Sequence, residues 1–99
     1  MSDRADWNEL RERRLAEAGA TDAYEAARIA FELGQTVREL RERNGWSQAQ
    51  LARVAGMTQS AVARFEAGGT APTLTVLDQL ARALNMRLDV TFAPRADAA

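Results

Sequence analysis

Four side chains in the stretch 47–66, SQAQLARVAGMTQSAVARFE, have the types and the spacing to recognise another molecule. At about 100° per residue, Gln59, Ser60, Ala63 and Arg64 share one side of a short helix, while Val62 and Phe65 share the other. An amide, a hydroxyl and a guanidinium on one rigid face hold donors and acceptors in a fixed geometry. That chemistry is recognition rather than bond making. The chain has no cysteine and no histidine, which removes a disulfide framework, a thiol nucleophile, the usual zinc ligands and an imidazole base. Acid pairs such as Glu39 and Glu42 fall on a helix face and read as solvated charges. No enzyme activity, cofactor or metal is expected.

The elements that must position these side chains are two short helices and a tight turn. Ser47 caps the first helix and Gln50, three residues on, reaches back to it, a capping box. Leu51, Val54 and Ala55 recur at helical spacing as its apolar side. Gly56 ends it, because glycine takes the left-handed conformation at little cost. Thr58 caps the second helix. Ala52 stands where two helices crossing at such a turn must approach closely, and only a small side chain fits there.

The spacing S-Q-x-x-L-A-x-x-x-G-x-x-x-x-x-V-x-x-x-E resembles the helix-turn-helix of the phage repressor and Cro (XRE) superfamily. The resemblance runs from Val37 in VRELRERNGWSQAQLA, through PTLTVLDQLARALN, to about Leu88. It implies an all-α, lambda-repressor-like bundle in which the helix starting at Gln59 is the recognition helix. In such a frame Gln59 pairs with adenine N6 and N7, Arg64 reaches guanine or a phosphate, and Ser60 and Ala63 lie at the same surface. Gln48 and Thr58, beside the helix starts, are placed to contact the DNA backbone. The resemblance also implies that Arg41 pairs with Glu66, clamping the two ends of the motif, and that the loop AGGTAP after Glu66 follows the DNA backbone.

Ninety-nine residues suffice for one small domain with a limited core, which a partner would enlarge. The net charge is −1, against the basic balance common in nucleic-acid binders. Its distribution matters more: residues 1–35 carry −3 and residues 36–70 carry +2. Every cation is arginine, whose planar fork suits bidentate contacts to phosphate and guanine. No secretory h-region and no long apolar run is present, so a cytoplasmic protein with no membrane span is expected.

In chain order, DWNELRERRLAEA predicts a helix capped by Asp6, with Trp7, Leu10 and Leu15 as a thin apolar stripe and arginines and glutamates as a solvated surface. Gly19 ends it and Thr21 or Asp22 caps the next. That next helix runs to Asn44; its second half packs under the motif, and its first half, YEAARIAF, extends beyond it. Tyr24, Ile29 and Phe31 then stay exposed unless the Trp7 helix or another protein covers them. After Pro72, Thr73 starts a helix whose stripe is Leu74, Leu77, Leu80, Ala81 and Leu84, with Asn85 as its C-terminal cap. Residues 87–92, RLDVTF, alternate: Leu88, Val90 and Phe92 on one side against Arg87, Asp89 and Thr91, the pattern of a short half-buried strand. Such a strand needs a second one, from another copy or from a partner. From Pro94 the chain reads as a frayed tail.

The organisation expected is an N-terminal helical extension over 1–30 as a toxin- or partner-binding region, a repressor-like domain over 31–86, and a short strand with its tail over 87–99. As a whole this resembles the antitoxins of HigA type. The resemblance implies a homodimer that binds double-stranded DNA, represses its own operon and neutralises a small basic ribonuclease toxin of the RelE/HigB class. A solitary regulator of the same superfamily is the alternative.

Overall fold

The computed structural model describes residues 3–96, without the side chains of residues 3–6 and 18. Its four helices are α1 (Asp3–Arg43), α2 (Gln48–Ala55), α3 (Gln59–Glu66) and α4 (Leu74–Ala83). The long dimension of the molecule is 67 Å, close to the roughly 60 Å that forty-one helical residues span at 1.5 Å each. The part of α1 beyond the other three helices therefore sets the shape.

α1 is one helix where two were expected. Gly19, Thr21 and Asp22 all lie inside it, as does Asp6, whose side chain is outside the described residues. A helical glycine costs only about 1 kcal/mol relative to alanine, and the alanines at 18, 20, 23, 26 and 27 are the best helix formers available. Farther along, Arg28 bridges Glu25 and Glu32, one turn away on either side, at 2.9 Å each. Its guanidinium is held above its ordinary pKa by the hydrogen bonds to Glu25 and Glu32. Because α1 continues without a break, the Trp7 segment cannot fold back over Tyr24, Ile29 and Phe31, and all three stay exposed. Ile29 also lies about 140° from Tyr24 around the helix, so the three do not form one patch.

Each helix ends in the same pair of backbone bonds, closed by a residue of positive φ. After α3, for example, the Gly69 N–H donates to the Arg64 carbonyl at 2.9 Å and the Gly68 N–H to that of Phe65 at 3.0 Å. This is the Schellman arrangement, which satisfies carbonyls that the helix leaves open. Asn85, φ 57°, does the same for α4, as its position predicts.

The core gathers Val37, Leu51, Ala52, Ala55, Val62, Phe65, Leu80 and Leu84. Three expected members are absent, Val54, Leu74 and the half-buried Ala81. Val54 is 56% exposed and Leu74 66% exposed. Leu51, Ala52 and Ala55 centre the inward side of α2, and Val54 falls about 100° away from that centre. On α4 the stripe is rotated: Val76 and Ala83 pack against the core with Leu77, Leu80 and Leu84, which leaves Leu74 on the outer side.

The strand expected over 87–92 is not formed. These residues have no regular structure, Val90 and Phe92 are exposed and Leu88 is half-buried. A strand is defined by its ladder, and no other strand is formed among the described residues to supply one. Residues 94–96 form no helix or strand either, and the last three residues of the expected tail lie outside the described set. Among the described residues no helix is long and apolar enough to cross a membrane, and no group of acids is placed to hold a metal ion.

Candidate nucleic-acid interface

The two short helices are held by the caps their sequence predicts. Ser47 Oγ accepts from the Gln50 N–H at 3.1 Å, and Gln50 Oε1 accepts from the Ser47 N–H at 2.7 Å. Gly56 closes α2 with φ 69°. Thr58 Oγ1 accepts from the Ala61 N–H at 3.1 Å, so its oxygen is engaged while the hydroxyl keeps a proton to donate. A further bond was not visible in the local pattern: Gln79 Nε2 of α4 donates to the Ala55 carbonyl at 2.8 Å. It tethers the end of α2, and the turn that follows, to the helix behind them. Only its place in α4 beside the core stripe hinted at it.

α3 is fixed on its inner side by Val62, Phe65 and Glu66, all buried. Ala52, 3% exposed, lets α2 and α3 cross closely. α1 also lies close against it, since a Cβ built on Gly34 would lie 2.4 Å from the Phe65 carbonyl oxygen and 2.6 Å from that of Glu66. The other side of α3 is turned outward. Gln59, Ser60 and Arg64 are exposed and Ala63 is half-buried.

Arg41 and Glu66 meet as expected, and more is attached to them. Arg41 Nε and Nη2 donate to Glu66 Oε2 and Oε1 at 2.7 and 3.0 Å, and Nη1 donates to the Trp46 carbonyl at 2.7 Å. Gln48 Nε2 donates to the same Glu66 Oε1 at 3.1 Å. The pair is withdrawn from water, with side-chain exposures of 11% and 4%, so it is not the weak surface kind. Its hydrogen bond to Glu66 is the main cause that raises the Arg41 pKa above its ordinary value. One carboxylate thus joins α1, the start of α2 and the end of α3. The link to Gln48 was missed, because Gln48 reads in sequence as a backbone-contacting residue only.

A family model described as helix-turn-helix (HTH_3) matches residues 37–90. The chain is 29% identical over 66 residues to the HTH-type transcriptional regulator SutR of Escherichia coli K12, a match that covers 67% of the chain but 37% of SutR. It is 28% identical over 65 residues to the antitoxin HipB of the same organism, covering 66% of the chain and 74% of HipB. Among solved structures, the restriction-modification controller protein C.AhdI from Aeromonas hydrophila superposes with a TM-score of 0.58 at 36% identity, covering 60% of this chain and 89% of that one. With more than half of its length matched, the caps and turn in place and the outer side of α3 free, the chain is a member of the XRE-type helix-turn-helix family.

Proposed function

We propose that the chain is a sequence-specific DNA-binding transcriptional repressor in which α3 enters the major groove. The observation that carries this reading is the division of α3 into a side locked by Val62, Phe65 and Glu66 and a side that leaves Gln59, Ser60 and Arg64 free. Gln59 reads adenine through its amide, Arg64 takes guanine or a phosphate, and Gln48 and Thr58 contact the backbone. Replacing Gln59 by alanine weakens binding to the operator by about 1 to 3 kcal/mol and leaves non-specific binding and the fold nearly unchanged. An equal loss on the operator and on a scrambled duplex, at one salt concentration, would sink the base-reading role.

The repressor acts as a homodimer, with residues 87–92 of two copies pairing across a two-fold axis and setting the recognition helices about 34 Å apart. The uncovered side chains of Val90 and Phe92 support this. A Val90→Pro variant removes a ladder donor. If it sediments as a dimer as tight as the parent, the segment is not the self-association surface.

A second reading is favoured by α1. Trp7, Leu15, Tyr24 and Phe31 are uncovered on a segment that carries an acidic excess, which suits a basic protein partner. The likeness to a protein named as an antitoxin points the same way. On this reading the chain neutralises a small ribonuclease toxin of the RelE/HigB class and represses the operon encoding both; otherwise it is a solitary regulator. Coexpression with a basic protein encoded by the adjacent reading frame decides between them. Copurification and relief of growth arrest support the antitoxin, and a neighbour that neither binds nor arrests growth overturns it.

A further inference from the structure

Beside the outward side of α3 lies a polar cleft of about 280 Å³, walled by Gln35, Arg38 and Arg41 of α1, Gln48 of α2, Ala63 and Glu66 of α3, and Ala67 just after it. Its one buried carboxylate, Glu66, is already satisfied by two bonds from Arg41 and one from Gln48. What the walls still offer is mostly donors. Arg38 uses Nε toward Glu42 at 2.9 Å, and neither of its terminal nitrogens has a partner among the described residues. Gln48 is held by one amide N–H, so its second N–H keeps a defined direction. Gln35 adds a further amide. Ala63 and Ala67 end at Cβ, so neither closes the mouth.

An anion with several acceptor oxygens complements such a set, and arginine binds phosphate through its fork. We propose that this cleft holds a backbone phosphate of the bound duplex, with Arg38 and Gln35 as contacts and with Glu66 as the positioning residue that aims Gln48. The site rests on the DNA-binding reading above. It also gives the Arg38–Glu42 pair a role. That pair is exposed, one turn apart on α1, with side-chain exposures of 55% and 53%. In the free protein Glu42 occupies the Arg38 Nε; on the duplex the guanidinium exchanges Glu42 for the phosphate.

The test is duplex binding by the full chain across a series of salt concentrations, on operator and scrambled duplexes, for the parent, Arg38→Gln, Glu42→Gln and the double variant. Arg38→Gln lowers affinity for both duplexes alike, and its plot of log affinity against log salt is shallower than the parent's by about 0.9, one phosphate contact. Glu42→Gln raises affinity, and the gain disappears when Arg38 is already replaced. Both side chains are exposed, so circular dichroism should show parental folding for all variants. A parent that binds while Arg38→Gln keeps the parental slope overturns the phosphate site alone. A Glu42→Gln gain that persists in the double variant overturns the exchange, since general repulsion then explains it. A parent that binds neither duplex overturns the DNA-binding reading, and the site with it.

Discussion

The two halves of α1 share one backbone geometry and meet opposite fates. From Ala30 onward the inward positions are Ala30, Leu33, Gly34, Val37, Leu40 and Arg41, two of them small enough for the end of α3 to lie against the helix. Before Ala30 the helix carries larger apolar residues, Trp7, Leu10, Leu15 and Tyr24, and every one is exposed. Large apolar residues alone therefore do not decide which half is packed, since Leu33, Val37 and Leu40 meet the core while those before Ala30 do not. The packed half is the one where small residues admit a second helix and where Arg41 finds a carboxylate. The bare half is helical through local propensity and leaves its apolar side chains exposed.

Substituting an aromatic in each region gives the widest separation. Phe65→Ala removes a side chain that is 3% exposed and lowers the unfolding free energy by about 3 to 5 kcal/mol. Trp7→Ala removes a larger one that is 68% exposed and changes stability by no more than about 0.5 kcal/mol. Denaturant unfolding of both variants checks the pair, and a comparable loss from Trp7→Ala would mean that the N-terminal half is packed in solution.

Gly34→Ala sharpens the comparison from within α1. The added methyl meets the carbonyls of Phe65 and Glu66 and drives α1 and α3 apart, at a cost of about 1 to 3 kcal/mol. Alanine favours the helix there, so the sign of the effect is diagnostic. A more stable variant would show that the close approach is not maintained.

Gly19→Ala is the opposite case and the smaller effect. Nothing lies within 4 Å of a Cβ at this position, so the substitution firms the helix locally by about 1 kcal/mol. Amide exchange around residue 19 slows while exchange in α2 and α3 does not. Unchanged exchange at residue 19 would mean that the glycine is not within a formed helix.

Much of the site was legible because its signals are local. Ser47, Gln50, Thr58 and Gly56 act on atoms within five residues of themselves, so side-chain type and spacing are enough to read them. The orientation of α3 follows from period alone: Val62 and Phe65 point inward as expected. The strand over 87–92 was different. Its alternation is a local pattern, but a ladder is a relation between two segments, and a single chain does not supply the second.

The sequence by itself determined the caps of α2, α3 and α4, the turn, the two sides of α3 and, through the resemblance, the pairing of Arg41 with Glu66. Only the tertiary structure decided that α1 runs unbroken through Gly19, that α4 turns Leu74 outward and Val76 inward, and that Gln48 and Gln79 tie α2 to α3 and α4. The hydrogen bonds of Gln48 and Gln79 join residues 18 and 24 positions apart, and the rotation of α4 depends on the shape of the core it closes. The unbroken α1 reflects helix free energy summed over many residues, in which one glycine is a small term.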